Sequence, residues 1–417
     1  MLVADHAPEV EIRILRPGDD IDAQLDLAER SFGVKGASER DRWLQVMSGS
    51  IAGGRCLGAF IGGKPVGGAT FHDMRQWWRG REVPMAGVSS VKVAPEDRGR
   101  GVGRLLMTAV LGEIAAHRYP LSALYPATMP LYRSLGWELA GGRHTAVIPA
   151  RSLRGLAPPD GAAEPHPQPA AAEPHPQPAP ALRRAGPGDA DAVIAVIGRV
   201  HEAARDCGPI TWDAAAVGRW LADPDVYAYL CDDGFLAYRW HNGNHDLFVD
   251  GVEAISGQTA RAFWSHLGSH ASMAEKVYAR IGPADAFWWL ARERDADVEH
   301  RSMWMLRLVD AVAAIAVRGF PPAVSLSIPL RIADDTRPAN SGLWELTVAE
   351  GKGSLTEIGP VVPGDALTLG ARGLAALYAG TPVVTLRQAG LASGGTPDGD
   401  EGLDAAFAAT AYMLDSF

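Results

Sequence analysis

A run of glycine and arginine at residues 98–103, RGRGVG, has the composition of an anion-binding loop. Glycine has no Cβ, so the backbone N–H groups of Gly99, Gly101 and Gly103 can approach a bound anion closely. The neighbouring arginine side chains could neutralise phosphate oxygens, although a single arginine is more often a solvated surface charge. This spacing is typical of loops that bind a pyrophosphate.

The flanking residues predict the elements that would position this loop. Residues 88–93, VSSVKV, favour a strand, which Ala94 and Pro95 would end. After the loop, apolar residues recur at helical spacing at Leu105, Leu106, Ala109, Val110 and Ile114. A loop between a strand and a helix lies at the helix N-terminus, where the positive end of the helix dipole favours an anion. We therefore predict a pyrophosphate-containing ligand at residues 98–103.

The overall composition limits the possible classes of protein. A length of 417 residues suggests about three domains, and 47% hydrophobic with 21% charged residues is an ordinary globular mixture. The net charge of -10 argues against nucleic acid or an anionic membrane surface as a partner and fits a cationic small molecule better. No apolar run is long enough to span a membrane and no export signal is recognisable, so we expect a cytoplasmic protein.

Metal and disulfide chemistry find little support in the sequence. Cys56, Cys207 and Cys231 are too widely spaced for a CxxC metal site and are odd in number. His166 and His175 lie in a proline-rich stretch with no other ligand nearby, so we predict no bound metal.

The proline-rich stretch at 157–180 is typical of an exposed linker, because Ala, Pro, Gln and His replace the usual mixture. It contains the nonapeptide AAEPHPQPA twice. On either side of it, a short strand, Pro-Gly-Asp and an amphipathic helix recur, at residues 17–19 and 187–189. Asp19 or Asp20 could cap the first of these helices. Two related α/β domains in tandem would explain the repeat.

A third region is predicted from about Arg301 onward. An apolar stripe with helical spacing ends near Gly319 and consists of Met305, Leu308, Val309, Val312 and Ile315. Strand-like runs follow at 323–332, 343–348, 354–358 and 366–369, and helical patterns at 371–378 and 403–414. This alternation indicates an α+β domain.

The loop and the residues after it resemble the acetyl-CoA-binding region of the GNAT acetyltransferase superfamily. The shared features are a strand ending in Val-Ala-Pro, the pattern R-x-x-G-x-G at 98–103, a strand at 121–125 and a short helix with Leu-Tyr-x-x-x-Gly-Trp at 131–137. A Rossmann dinucleotide site would need an acidic residue at the end of a second parallel strand about twenty residues on, and none is present. The resemblance implies that acetyl-CoA is the cosubstrate.

Over most of its length, the sequence is similar to the enhanced-intracellular-survival (Eis) acetyltransferases within that superfamily. The similarity rests on residues 88–95 with the loop, on 123–125 leading to Tyr132, on 303–309 and on the terminal Phe417. It implies an α/β and α+β architecture, with tandem GNAT domains, the second of them degenerate, followed by a sterol-carrier-protein-like domain. It also implies a homohexamer.

This resemblance divides the chain into four parts. They are a GNAT domain that binds acetyl-CoA at 1–156, the linker at 157–180, a degenerate GNAT-like domain at 181–299, and a sterol-carrier-like domain at 300–417 that supplies the C-terminal carboxylate. The degeneration is visible in the sequence, because a predicted strand at 247–249 is followed by residues 253–259, with one glycine and no arginine.

Residue roles also follow from the resemblance. Tyr132 would be the general acid for the departing thiolate, and the α-carboxylate of Phe417 would be the base, acting through water. Backbone N–H groups of Val91 or Val93 would contact the thioester. The residues expected to bind acetyl-CoA are Val91, Lys92, Val93, Arg98, Gly99, Arg100, Gly101, Val102, Gly103 and Arg104. From residue type alone, the alternative bases are His72, His117 and His144.

The acceptor is expected to be a primary amine of a small molecule, such as an aminoglycoside, a polyamine or a biosynthetic amine. Its pocket is predicted to include Phe32, Trp43, Tyr125, Asp415 and Ser416. The best-known family members carry a carboxylate just before the terminal phenylalanine, where this chain has Ser416, and Val34 replaces another expected acid. A less cationic amine is therefore as credible as an antibiotic. Protein lysine acetylation, or non-catalytic binding of an acyl-CoA or apolar ligand, are the alternatives.

Overall fold

The computed structural model describes residues 9–34, 36–156, 180–293, 296–359 and 364–417. The predicted linker, with its repeated nonapeptide and both of its histidines, lies outside the described residues except for Pro180. Among the described residues, no helix is long and apolar enough to cross a membrane.

The first unit contains the predicted strand, loop and helix in the expected order. Its elements are β1 (Glu11–Ile14), α1 (Ile21–Phe32), α2 (Ala37–Ala52), β2 (Cys56–Ile61), β3 (Lys64–Trp78), β4 (Glu82–Val93), α3 (Val102–Ala116), β5 (Leu121–Leu124), α4 (Met129–Arg133) and β6 (Glu138–Pro149). Asp20 caps α1, because its side chain accepts a 2.9 Å hydrogen bond from the Ala23 N–H. Asp19 instead accepts from the Arg13 guanidinium at 2.8 Å.

The second unit repeats this plan after residue 180. Its elements are β7 (Arg183–Arg184), α5 (Ala190–Ala204), β8 (Cys207–Thr211), α6 (Ala214–Leu221), β9 (Tyr227–Cys231), β10 (Gly234–His241), β11 (Asp246–Ala254), α7 (Gly257–Gly268), β12 (Lys276–Arg280), α8 (Phe287–Leu290) and β13 (Asp297–Leu308). In both units a parallel strand pair is joined through a helix: β4 and β5 through α3, and β11 and β12 through α7.

The two units share a 13-stranded sheet with the order β1-β2-β3-β4-β5-β13-β6-β12-β11-β10-β9-β7, in which β8 pairs with β3. Each unit contributes a strand that pairs with a strand of the other unit. Strand β13 of the second unit lies between β5 and β6, and β6 of the first unit pairs with β12. The parallel pairs of the two units therefore lie on opposite sides of β13 and β6.

The third unit is an α+β domain, as predicted. Its elements are α9 (Ala311–Val317), β14 (Leu326–Ala333), β15 (Gly342–Ala349), β16 (Lys352–Glu357), β17 (Leu367–Gly370), α10 (Ala371–Tyr378), α11 (Val383–Gln388), β18 (Ala392–Gly394) and α12 (Pro397–Phe407). Its strands form a five-stranded sheet in the order β16-β15-β14-β17-β18. A fully buried ion pair between Arg307 and Asp334, 2.6 Å long, joins β13 to this unit.

The predicted helix from residue 301 to 319 is wrong over its first half. Residues up to Leu308 belong to strand β13, and α9 begins only at Ala311, after the Asp310 cap. Both faces of β13 are covered, since Trp304, Met305 and Leu306 are all fully buried. A strand buried on both faces loses the alternation that marks a strand, so its apolar residues can mimic a helical stripe. The predicted boundary at 299/300 falls inside this strand.

The predicted helix at 403–414 is also wrong in its last half. Helix α12 ends at Phe407, and the following backbone bonds to other parts of the fold. The Tyr412 N–H donates to the Cys207 carbonyl at 3.0 Å, and the Met413 N–H donates to the Gly142 carbonyl at 3.1 Å. The last residues therefore form an extended C-terminal segment, residues 408–417, that runs across both GNAT-like units.

Candidate active site

Strands β4 and β5 separate next to the glycine-arginine loop. Their parallel pairing covers residues 85–88 of β4, which then continues to Val93. In the stretch beyond this pairing, Ser90 has a φ of 53° and the register between β3 and β4 shifts near Thr70, as in a β-bulge. Strand β5 ends at Leu124, so residues 89–93 of β4 have no partner on the β5 side among the described residues, and their backbone borders a gap there. We refer to this gap as the β4–β5 cleft.

The loop at 98–103 has the geometry of an anion site at the start of α3. Gly99 and Gly101 have φ values of 75° and 81°, which side chains with a Cβ rarely adopt. Gly101 is the N-cap residue of α3, and no side chain of the described residues caps this helix. The Arg104 N–H already donates to the Gly101 carbonyl at 3.0 Å, which leaves the N–H groups of Val102 and Gly103 available to an anion. The helix dipole would also attract that anion.

The three predicted phosphate-binding arginines, Arg98, Arg100 and Arg104, are exposed. Arg98 donates from Nε to the Val93 carbonyl at 3.3 Å, and this bond ties the loop to the end of β4. Arg100 donates to the Asp97 carboxylate at 2.6 Å. Arg100 therefore has to share Asp97 with any phosphate that it contacts.

Tyr132 lies on α4, the short helix that follows β5, and belongs to the core of the first unit. The side chain is 5% exposed and packs in the same apolar cluster as residues of α3. Burial raises the pKa of its hydroxyl to about 12, so the phenol remains protonated at neutral pH. The Trp137 N–H donates to the Tyr132 carbonyl at 3.1 Å, which fixes the C-terminal end of this short helix.

The C-terminal segment brings Phe417 to the beginning of the β4–β5 cleft. A Cβ added to Gly87 would lie 2.9 Å from the Phe417 ring, so this aromatic side chain covers β4 beside the last residues paired with β5. The Phe417 ring also forms an edge contact with the ring of Tyr125, at 5.8 Å between centroids. The Tyr125 hydroxyl donates to the Asp415 carbonyl at 2.6 Å. The chain end is therefore docked.

The Asp415 side chain also contacts the second unit. It accepts a hydrogen bond from Trp212 and lies near Arg280 and His201. Burial raises the pKa of this carboxyl. The prediction that Asp415 partly compensates for a missing acceptor-site acid stays a prediction. Burial and the nearby Asp415 carboxylate raise the pKa of Tyr125, so this carboxylate lies near that ring, but it already accepts a hydrogen bond from Trp212.

The other predicted acceptor residues are distributed around the first unit. Phe32 is 54% exposed and Val34 is 88% exposed at the end of α1, while Ser416 is exposed on the C-terminal segment. Trp43, on α2, is half-buried, and the Lys92 ammonium lies 5.9 Å from the centre of its ring. Phe32 and Trp43 belong to helices of the first unit, and Ser416 precedes Phe417 in the C-terminal segment. Tyr125 is the predicted acceptor residue that contacts the chain end, through Phe417 and Asp415.

The burial of the Lys92 side chain is a feature that the sequence pattern did not predict. This side chain is 3% exposed, and burial lowers the pKa of its ammonium group to about 8. A contact between Lys92 and acetyl-CoA would therefore have to come from its backbone. The alternation within β4 could have indicated an inward side chain, but the bulge at Ser90 breaks that alternation.

Two of the alternative bases, His72 and His117, have less suitable surroundings. His72 forms a 2.7 Å hydrogen bond with the Ser89 hydroxyl, and burial together with Arg55 lowers its pKa to about 4. His117 ends α3 and packs against Phe71, with 5.4 Å between ring centres. A histidine with a pKa near 4 is neutral at pH 7 but is a weak base.

In the second unit, the turn between β11 and α7 corresponds to the loop at 98–103 but lacks its anion-binding features. Strand β11 leads to α7, whose N-terminus is capped by Ser256, since its hydroxyl accepts from the Thr259 N–H at 3.1 Å. The carboxylate of Glu253 is buried just before this turn. A capped helix end beside an acid does not favour a pyrophosphate.

Comparisons with known proteins assign families to all three units. Residues 11–140 match a model of the acetyltransferase (GNAT) domain, residues 209–308 match a second model of that domain, and residues 311–414 match the sterol carrier protein domain. The fold class predicted from the sequence is therefore confirmed.

Similar proteins span nearly the whole chain. The crystal structure of a GCN5-related N-acetyltransferase from Kribbella flavida is 43% identical, with a TM-score of 0.90 over 98% of this chain and 99% of that one. An uncharacterized N-acetyltransferase of Streptomyces avermitilis is 27% identical, covering 91% of this chain and 92% of its own. N-acetyltransferase Eis of Mycobacterium tuberculosis is 26% identical over 72% of each chain.

The fold, the loop and these relatives define an N-acetyltransferase, a class whose GNAT members use acetyl-CoA. Within this class, the chain belongs to the Eis-like GCN5-related N-acetyltransferases.

Proposed function

We propose that this chain transfers an acetyl group from acetyl-CoA directly to a primary amine of a small molecule. The observation that carries the proposal is the docked C-terminus, because Phe417 packs against β4 at Gly87, immediately before β4 separates from β5. A terminal carboxylate at this position would lie beside the cleft in which a thioester is expected.

The first turn of α3 and the β4 edge would hold the donor. The N–H groups at the start of α3 would receive the pyrophosphate, and the exposed guanidinium groups of Arg98 and Arg104 can turn toward its oxygens. Backbone N–H groups of Val91 or Val93 would donate to the carbonyl oxygen that becomes negative during attack. Bound acetyl-CoA supplies an acyl group activated as a thioester.

Tyr132 would supply a proton to the departing sulfur. Its pKa of about 12 keeps the hydroxyl protonated until that moment. The difference from an ordinary thiol pKa near 8.5 corresponds to about 5 kcal/mol, so the proton is expected to move together with cleavage of the C–S bond. Solvent would later reprotonate the phenolate.

The α-carboxylate of Phe417 would accept the proton that the amine loses as its nitrogen bonds to the carbonyl carbon. A terminal carboxyl has an ordinary pKa near 3.5, so it is ionised at neutral pH and acts best through a water molecule. The amine nitrogen then keeps the acetyl group, the thiolate takes the Tyr132 proton, and the carboxylate returns its proton to solvent.

The acceptor would enter beside Tyr125, Trp43 and Ser416. Because Ser416 is uncharged and the Asp415 carboxylate already accepts a hydrogen bond from Trp212 and lies near Arg280, this site offers less free negative charge than a polycationic antibiotic would require. A small or singly charged amine therefore fits better than an aminoglycoside, and resistance to antibiotics is not the activity that we favour.

The decisive experiment is a panel of amines, incubated with acetyl-CoA and followed by release of free thiol. It should contain aminoglycosides, polyamines, amino sugars and lysine peptides. Protein with a short C-terminal extension is compared with protein that carries the same tag at its N-terminus. We expect turnover of at least one small amine and its loss in the C-terminally tagged protein. Equal turnover in both would refute the terminal-carboxylate mechanism, and acetylation of peptides alone would make this a protein acetyltransferase.

The homohexamer and the cytoplasmic location remain predictions from the family resemblance and the sequence. Light scattering after gel filtration measures the mass directly, and a value near six chains of 44.2 kDa is expected. A monomeric mass would remove the hexamer from this proposal without affecting the chemistry.

A further inference from the structure

The second unit contains a cleft that corresponds to the β4–β5 cleft of the first. Strand β11 pairs in parallel with β12 from Asp246 to Val249, and then continues to Ala254 beyond the pairing. The same separation follows Val88 in β4. Residues that follow β12, at 282–286, face the free end of β11 across this gap. We call this gap the β11–β12 cleft.

The β11–β12 cleft holds a cavity of about 420 Å³. Its apolar wall includes Val252, Ala260 and Trp264. The C-terminal segment closes another side with Thr410 and Tyr412. A cavity of this volume accommodates a small organic molecule.

The polar wall of the cavity is acidic. Its carboxylates are Asp206, Glu253 and Asp285. Asp206 is paired with His201 at 2.8 Å, and Asp285 accepts from the Phe287 N–H at 2.8 Å. Within the described part of the chain, the structure gives the Glu253 carboxylate no hydrogen-bond or ion-pair partner, although the residue is only 8% exposed. A buried carboxylate without a partner is costly, and a cation in the cavity would remove that cost.

Two arginines also line the cavity. Arg205 is exposed, so it borders the solvent side, and the half-buried Arg79 donates to the Ala408 carbonyl at 3.4 Å. Neither forms an ion pair with Glu253 in the structure, and the pKa of Glu253 is raised to about 7 by burial in spite of nearby His201. Among the described residues, the protein therefore leaves Glu253 and Asp285 without an ion-pair partner.

We propose that the β11–β12 cleft is a second ligand site, which binds a small organic cation with one or two primary ammonium groups. Glu253 and Asp285 accept hydrogen bonds from the ammonium groups, and the alkyl chain lies against Val252 and Trp264. An ammonium group near the Trp264 ring gains a cation–π contact as well. The site is separate from the acetyl-transfer site and does not depend on the proposed reaction.

Other occupants fit the chemistry of the cavity less well. A phosphate or the pyrophosphate of a nucleotide would meet three carboxylates and the capped end of α7. A metal ion needs several ligands that converge on one point, and among the residues that the structure describes no group of three or more His, Cys, Asp or Glu side chains does so. An extended cation can reach carboxylates that do not converge.

The test is calorimetric titration of the full-length protein with putrescine, compared with the neutral butane-1,4-diol. Glu253→Gln removes the charge with little change in shape. Ala284→Leu places a larger side chain at the exposed edge of the cavity, where folding should be unaffected. The matched control is Glu202→Gln, which neutralises an exposed acid on α5 that does not line the cavity.

We expect the wild type and Glu202→Gln to show a putrescine-binding component that is weakened at least tenfold in Glu253→Gln and in Ala284→Leu, with no such component for the diol. Circular dichroism verifies that each variant is folded. Equal putrescine affinity in all four proteins, or equal affinity for the diol, would overturn the proposal. Since the readout is binding, a failure here differs from a failure of acetyl transfer, which is read by thiol release.

Discussion

The Tyr125 hydroxyl donates a 2.6 Å hydrogen bond to the Asp415 carbonyl, and the Tyr125 ring contacts the ring of Phe417. One residue at the end of β5 thus holds both the backbone and the last side chain of the C-terminal segment. Because the proposed base is the carboxylate of that last residue, Tyr125 is a positioning residue for it.

Substitution Tyr125→Phe should separate the positioning role of the Tyr125 hydroxyl from the packing role of its ring. It removes a hydrogen bond with a net value of about 1 kcal/mol but keeps the aromatic contact. We expect kcat to fall about five- to tenfold with little change in melting temperature, and carboxypeptidase to release Phe417 faster. Tyr278→Phe, on β12, is the control and should change neither. If Tyr125→Phe left both kcat and the release of Phe417 unchanged, Tyr125 would have no positioning role.

Substitution Tyr132→Phe tests the proposed general acid. Loss of a positioned proton donor typically reduces the rate about 10²- to 10⁴-fold. We expect that reduction in kcat with an unchanged Kd for acetyl-CoA, because the phenyl ring preserves the packing against α3. The pKa of about 12 also predicts no loss of activity from Tyr132 ionisation up to about pH 11. If the variant had the wild-type rate, solvent rather than Tyr132 would be the proton donor.

Substitution Gly101→Ala tests the loop. An alanine at a φ of 81° costs about 1 to 2 kcal/mol and would turn the first N–H groups of α3. We expect the KM for acetyl-CoA to rise about tenfold, while kcat at saturation changes little. The control is Gly112→Ala within α3, where no atom of the described residues lies within 4 Å of the new Cβ and helix propensity improves. An unchanged KM in Gly101→Ala would argue against pyrophosphate binding at this loop.

The sequence predicted the donor loop because its determinants are local. Glycines with positive φ, the strand before them and the helix after them lie within about 30 residues, and such patterns survive without tertiary information. Helix α4, which carries Tyr132, could be predicted for the same reason, since Gly136 follows it at a φ of 90°.

The C-terminal path could not be predicted, because its determinants are distant. The Ala411 carbonyl lies against Gly141, and the Tyr412 carbonyl lies against Gly208, where a Cβ would collide with the segment. Nothing near residue 411 in the sequence indicates those partners, so the apolar residues after Phe407 predict a helix instead. The same limitation applies to β13, whose pairing with β5 and β6 of the first unit hides its alternation.

Glu253 should make the folded protein less stable as the pH rises. Burial raises its pKa from 4.5 to about 7 in the folded state, amid His201, Asp206, Asp285 and Asp415. The folded protein therefore holds the proton more tightly, and this stabilisation is complete below about pH 4.5 and disappears as the pH rises through 7.

Substitution Glu253→Gln removes this titration. We expect wild type and variant to have similar free energies of unfolding at pH 5. At pH 8 the variant should be more stable by about 3 kcal/mol, because the wild type must then bury a charge. Urea unfolding at the two pH values measures the difference, and Glu202→Gln, with its exposed carboxylate, should follow the wild type. Parallel pH profiles for Glu253→Gln and the wild type would mean that the Glu253 carboxylate is already compensated in the folded protein.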